Sequence, residues 1–406
     1  MVTLGRKTGI GHYARELLRC LESQAQQDSI AEFPTGWLRR VWKAVTRARP
    51  YLNSPNRNPW HSAGAAHSLL PEFRNRTLEY CRQNSHALLS RYFNSVCRRH
   101  RFDLYHEPNG VPFPVDCPTV LTVHDLSVLL YPQWHPADRV KYYEQHFCPS
   151  MERCVHFLAV SEFSRQEIIR NLPIAPERVT RTYNGIRSNL GPLPRANVDL
   201  VLRQLGLPHQ YLLYLGTIEP RKNVLMVLRA YCSLPESVRS RWPFVLVGGW
   251  GWNAGEVADY LHREARHRGV IHLGYVKDKH LAALYNAARA LVYPSWYEGF
   301  GLPPLEMMAC GGAVLASTAG ALVETVGRRA HLIPAGDGDG WRAAILRVFQ
   351  DDDWWIGLRQ GVQAVARPFT WERCAAETWQ VYRCVNQGKP VVSSAIAPGM
   401  RPCRAA

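Results

Sequence analysis

No apolar run in this sequence of 406 residues approaches the about 20 residues that a membrane-crossing helix needs. The basic start Met1–Lys7 has no apolar segment behind it, so the sequence predicts neither a secretory leader nor a span. Paired-cysteine spacing is absent too. The eleven cysteines include no C-x-x-C and no Cys/His cluster at zinc spacing, which excludes a disulfide scaffold and a zinc finger and reads as thiols in a reducing cytoplasm. Acidic residues are few, 33 against 49 basic ones, leaving a net charge of +16. Such an excess attracts phosphates, nucleic acids and anionic membranes alike, so it names a sign and not a partner. The basic residues are dispersed, and no RNA- or DNA-binding motif accompanies them, which argues against a nucleic-acid partner. No G-x-G-x-x-G follows a strand with an acidic residue at dinucleotide-binding distance.

What is present is alternation. Short apolar strands and glycine-bounded helices succeed one another, the pattern of parallel sheets covered by helices. The clearest strands are Pro118–Val123 and Val155–Val160, then Tyr211–Leu215, Phe244–Val247, Val270–Leu273, Ala290–Tyr293 and Ala313–Ala316. Most run into polar or glycine turns, where open parallel sheets bind ligands. The length fits two domains. The Pro-, Gly- and Arg-containing stretch 191–208 predicts the linker between residues 1–190 and 209–370. A helix over 371–387 and a disordered tail over 388–406 complete the expected order.

The segment Tyr293–Glu306 carries the strongest chemical signal. Pro303 and Pro304 suit a first helical turn, and Gly299 and Gly301 let backbone approach a ligand. Glu306 is placed in that first turn and Glu298 in the loop before it, so the two carboxylates can reach different parts of one ligand. A second block, Tyr214–Asn223, runs strand, glycine, then Arg221-Lys222 at a helix start. Cations there oppose the macrodipole unless an anion sits against them, which points to a phosphate. Asp337-Gly338-Asp339 and Asp351-Asp352-Asp353 read as turns and helix caps, and the sequence predicts no metal. Ser161 reads as a cap. Trp37–Arg47, within residues 37–49, has the spacing of an amphipathic basic helix, which could rest on an anionic membrane or pack its tryptophans inward, and amphipathicity alone does not separate the two.

These two blocks resemble the GT-B glycosyltransferases of family 4, whose signature is two glutamates separated by seven residues. The resemblance extends to Thr8–Leu18, Thr122–Leu126, Ala159–Ser164 and Tyr183–Ile186. It implies an α/β fold of two Rossmann-like domains whose parallel sheets face each other across a cleft, with the terminal helix packing back on the first domain. Family members place an apolar strand before the Gly9-Ile10-Gly11 turn. Only eight residues precede that turn here, so the first strand is expected to be missing, either because the natural start lies upstream or because the protein is truncated and less stable.

The resemblance also implies roles. Glu306 would hold the donor's ribose, Glu298 the transferred sugar, and Arg221 and Lys222 the diphosphate; Thr217 stands where many relatives are basic, so the charge must come from that pair. The amides of Phe300, Gly301 and Leu302, the Gly9–Gly11 turn, and Val276 beside the base would be further donor contacts. His124 would face the transferred sugar. The implied reaction is a retaining transfer of a hexose from a nucleotide diphosphate sugar, GDP-mannose by analogy, with no other cofactor. A saccharide or polyprenol-linked acceptor is expected, at the cytoplasmic face of a membrane. A sugar-nucleotide epimerase on the same fold, or a non-catalytic binding module, is the alternative that product analysis separates.

Overall fold

A computed structural model describes residues 9–33 and 88–391. The segment 37–49, the tail beyond Val391 and the expectation about a strand before Gly9 lie outside the described residues.

Two parallel sheets organise the molecule. In the first, β1 (Tyr105–Glu107), β2 (Thr119–Val123), β3 (Cys154–Ala159) and β4 (Val179–Arg181) lie side by side in sequence order. The second holds β5 (Tyr211–Leu215), β6 (Phe244–Val247), β7 (Val270–Gly274), β8 (Ala288–Tyr293), β9 (Ala313–Ser317) and β10 (His331–Ile333), ordered β10-β9-β8-β5-β6-β7. Strand order therefore reverses between β5 and β8. Ligands of doubly wound sheets bind at such a switch point, outside the carboxyl ends of the strands.

The strands are apolar without alternation because both faces are covered. Along β5, Tyr211 and Leu213 enter one helix-covered core while Leu212 and Tyr214 enter the opposite one. The stretch expected as a linker is mostly helix: Arg195–Leu205 starts after Pro194, buries Val198 and Leu202 against Tyr211 and Leu213, and ends at left-handed Gly206. Proline there starts a helix instead of marking a loose connection. The chain changes domain twice, back to back. Ile186 N–H donates to the Phe369 carbonyl at 3.0 Å, and a Cβ on Gly185 would lie 2.3 Å from the Trp371 nitrogen.

After the second crossing, Thr370 caps the helix Trp371–Asn386, accepting from the Arg373 amide. That helix packs Trp371, Cys374, Ala375 and Trp379 onto Tyr13, Leu17, Cys20 and Leu21 of the helix Gly9–Gln24. Gly9 and Gly11 are thus helical, not a free turn, because burial of the i, i+4, i+8 stripe outweighs glycine's poor helix propensity. The nine cysteines among the described residues are free thiols, and among those residues no helix is long and apolar enough to cross a membrane.

Candidate active site

Both chemically marked blocks leave the strands that flank the switch point. From β5 the chain passes Gly216, packed so closely that a Cβ on Gly248 would lie 1.8 Å from its carbonyl oxygen. It then makes a single turn, Pro220–Lys222, and enters the helix Val224–Cys232 through Asn223, whose φ of 55° is left-handed. The Asn223 amide donates to the carbonyls of Pro294 (3.2 Å) and Ala335 (2.8 Å), and Trp296 N–H donates to the Arg221 carbonyl at 2.8 Å. These bonds tie the β5 turn to the loops after β8 and β10.

The result is a buried charge cluster. Lys222 Nζ donates to Glu298 Oε1 at 2.5 Å and to the Tyr293 hydroxyl at 3.0 Å. Ser295 Oγ donates to the same Glu298 oxygen at 2.7 Å. Arg221 Nη1 reaches Glu298 Oε2 (3.1 Å) and the Tyr297 carbonyl (2.8 Å), while its Nη2 reaches Glu219 at 2.9 Å. Burial pushes the Glu298 carboxyl upward, and Lys222 and Arg221 reverse this, holding it below the ordinary carboxylate range. Burial pulls Lys222 below the ordinary lysine value despite the carboxylate beside it. The expectation that an external anion must balance these cations is corrected here: Glu298 and Glu219 already do so. Arg221 Nε is buried with no acceptor among the described residues, leaving that donor of the guanidinium uncommitted.

The first domain meets this cluster at the ends of β2 and β3. A Cβ on Gly299 would lie 1.9 Å from the His124 carbonyl oxygen. Ser161 and Ser164 donate to the Gly299 carbonyl at 2.7 and 3.1 Å, while Ser161 also accepts from the Ser164 amide as the expected cap. His124 donates from Nε2 to the Pro108 carbonyl (2.9 Å) and has the edge of Tyr13 at 4.7 Å; burial lowers its pKa, so the ring is neutral. Next to it, burial raises Asp125, and Arg221 across the interface together with the hydrogen bonds from Ser127 outweighs this, leaving its pKa lowered.

Glu306 is placed differently from expectation. It is the fifth residue of the helix Leu302–Ala309, past the first turn, because left-handed Gly301 (φ 90°) and the two prolines occupy the start. With no exposed surface, it accepts from Arg187 Nη1 on Oε1 and from the Tyr285 hydroxyl on Oε2 at 2.7 Å. Phe300 faces an apolar cluster with Tyr183, Leu305 and Phe369, so its side chain is structural. Leu302 opens the helix, and Val276 is buried just after left-handed Gly274 at the end of β7. Arg221, Lys222 and Glu298 are therefore brought into direct contact, with His124 against the adjoining loop, while Glu306 is held by its own pair of partners. Gly9 is exposed at the start of its helix and Gly11 is buried. Asp337 and Asp351 cap helices through the Gly340 and Trp354 amides, the role expected of them.

Sequence reasoning missed Arg187, Tyr285 and Glu324. Glu324 accepts from the Glu162 and Phe163 amides (2.8 and 2.9 Å) and the Tyr183 hydroxyl (2.6 Å), capping a helix of the other domain. None of these stands in a local pattern, since each partner lies far away along the chain.

Comparison with known proteins adds to this geometry. A family model described as Glycosyltransferase Family 4 matches residues 8–190, and one described as Glycosyl transferases group 1 matches residues 209–351. Over 283 residues the sequence is 40% identical to O-antigen chain mannosyltransferase B of Escherichia coli, covering 69% of this chain and 74% of that protein. It is 29% identical over 285 residues to the serotype-specific mannosyltransferase WbdA of Escherichia coli, spanning 35% of that longer protein. Among solved structures, WaaG, a glycosyltransferase involved in lipopolysaccharide biosynthesis, superposes with a TM-score of 0.63 over 92% of this chain and 96% of its own, at 15% identity. The last likeness speaks to fold alone.

Proposed function

This chain belongs to glycosyltransferase family 4 and is a hexosyltransferase of the two-domain GT-B type, and from that premise we propose that it moves mannose from GDP-mannose to a saccharide or polyprenol-linked saccharide during polysaccharide assembly. The observation that carries the reading is the convergence of Arg221, Lys222 and Glu298 at the β5/β8 switch point. The mannosyltransferase relatives support the choice of sugar and acceptor class.

In the proposed reaction, the donor's diphosphate takes Arg221 and Lys222 over from Glu298, which turns to hydroxyls of the transferred sugar. Arg221 Nε offers a further donor. As the anomeric C–O bond breaks, negative charge gathers on the leaving diphosphate, and preorganised cations with the amides of Phe300, Gly301 and Leu302 stabilise it where it develops. That supplies the role a metal would otherwise fill, so no metal and no cofactor beyond the sugar nucleotide is invoked. Neutral His124 faces the sugar, Val276 borders the base, Glu306 takes the ribose hydroxyls, and Gly9 and Gly11 approach the phosphates. Configuration is retained by front-face displacement, with a donor phosphate oxygen receiving the acceptor's proton, so Glu298 is no covalent nucleophile as in retaining hydrolases. We place the protein in the cytoplasm, touching the inner membrane face through residues 37–49.

A thermal-shift screen against GDP-, UDP- and dTDP-sugars, followed by product analysis, tests this, because a ligand that binds the folded state raises its melting temperature. Stabilisation by GDP-mannose and an α-linked product are expected. Stabilisation by none of them, or an epimerised nucleotide sugar as product, would refute the assignment.

A further inference from the structure

Asp125 stands just past the end of β2, where the first domain meets the charge cluster: an added Cβ on Gly299, the residue after Glu298, would lie 3.0 Å from the Asp125 Cβ. Its Oδ1 accepts from both the amide (2.9 Å) and the hydroxyl (2.7 Å) of Ser127, and that hydroxyl meets Nε2 of buried His135 at 3.1 Å. The carboxylate is thereby fixed in direction. Its Oδ2 has no hydrogen-bond partner among the described residues and is not sealed from solvent. Arg221 makes its ion pairs with Glu219 and Glu298, and no ion pair holds Asp125 among the described residues. Burial raises the Asp125 pKa, and Arg221, Ser127 and Arg139 together outweigh it, so the group is charged. An unpaired charge in such a place costs stability, and groups of this kind gather where chemistry uses them.

We propose that Asp125 takes part in the transfer as a fixed negative charge, turned toward the transferred sugar, that stabilises the positive charge developing at the anomeric carbon. The proposal rests on the reading that a nucleotide sugar lies against Arg221, Lys222 and Glu298. In the resting donor the sugar is neutral and the diphosphate anionic, so a carboxylate nearby only repels. When the anomeric C–O bond breaks, the sugar turns cationic and is attracted, the differential binding that lowers a barrier. Asp125 takes no proton and forms no bond. Glu298 does not fill this place, because its oxygens are committed to Lys222, Ser295 and Arg221 or, with donor bound, to sugar hydroxyls. Because Asp125 belongs to the first domain, its charge reaches the sugar only when the two domains are together, so cleavage of the donor is tied to closure.

The test is a variant that binds the leaving group more tightly and yet reacts more slowly, a pairing that a merely structural residue would not give. Binding of GDP and UDP is measured by calorimetry. Turnover is measured as GDP released from GDP-mannose in water alone, where the same anomeric bond breaks without an acceptor. Asp125→Asn keeps the size and the acceptor for Ser127 and removes the charge. It should bind GDP about threefold or more tightly, since one repelling charge is gone, and release GDP about 10-fold or more slowly. Ser127→Ala keeps the charge and loosens its hold, letting the carboxylate swing to Arg221; it should slow release by a similar factor without tightening GDP. Weaker or unchanged GDP binding by Asp125→Asn, or release at the wild-type rate, overturns the proposal. If Asp125→Asn does not fold, release at the wild-type rate by Ser127→Ala overturns it in the same way. A wild-type protein that binds neither GDP nor UDP would instead refute the nucleotide-sugar reading itself.

Discussion

Lys222 Nζ and Ser295 Oγ share one oxygen of the Glu298 carboxylate, at 2.5 and 2.7 Å, in a site where Glu298 is only 5% exposed. An ion pair this buried owes much of its stability to completeness, because removing one partner strands the other without water. Lys222→Ala should therefore destabilise the fold by about 3 kcal/mol in urea unfolding and lower the transfer rate by about 100-fold or more. Lys222→Ala/Glu298→Gln should recover part of the stability and none of the activity. Recovery of both would mean that the pair serves folding only.

The Glu324 carboxylate joins the domains by accepting the first two amides of the helix Glu162–Asn171, the place where helix donors lack partners of their own. Glu324→Ala should lower stability by about 1–2 kcal/mol, the range of a lost cap. Hydrogen exchange should rise at Glu162 and Phe163 and stay unchanged at Ser164, whose amide is capped by Ser161. Uniform exchange along the helix would contradict the cap.

What could be read ahead of the structure follows from locality. Central strands such as β5 and β8 announce themselves because burial on both faces demands unbroken apolar runs. The three-residue strands β1, β4 and β10 are too short to leave a pattern, and Arg195–Leu205 was hidden behind its flanking prolines. In the site, glycines and glutamates spaced along one loop were visible, and so was the basic pair. That Glu298 itself neutralises the pair was not, since 76 residues separate it from Lys222. Arg187 and Glu324 are single charged residues whose meaning comes only from partners in another element.

Gly299 is required by closeness. Its added Cβ would lie 1.9 Å from the His124 carbonyl oxygen and 3.0 Å from the Asp125 Cβ, both in the opposite domain. Gly299→Ala should push the β8 loop away from β2, weaken the Ser161 and Ser164 bonds to its carbonyl, and reduce transfer by more than about tenfold, as a misplacement of about 1 Å does. Circular dichroism should stay native while small-angle scattering shows a more open molecule. Native activity in a folded Gly299→Ala protein would show that the two domains do not need this contact.

The buried His135 and His156 and the half-buried His106 make the fold sensitive to acid. Burial, with a smaller contribution from His124, lowers His106 to about 3; burial and Arg139 lower His135 to about 4; burial and Arg178 lower His156 to about 4. Each ring nitrogen engaged meets a hydroxyl: Thr122 and Tyr382 for His106, Ser127 for His135, Thr180 for His156. The rings are thus neutral when folded, whereas in the unfolded chain they titrate near about 6.5. Above that pH their contribution to stability is complete, and it drains away as pH falls toward 4, because the unfolded state then binds more protons. The urea midpoint should be level from pH 8 to 7 and decline progressively below about 6.5. His156→Gln, which keeps a polar group for Thr180 but cannot titrate, should make that decline shallower. A midpoint that stays level down to pH 4.5, or a slope the variant does not change, would show that these rings accept protons without cost.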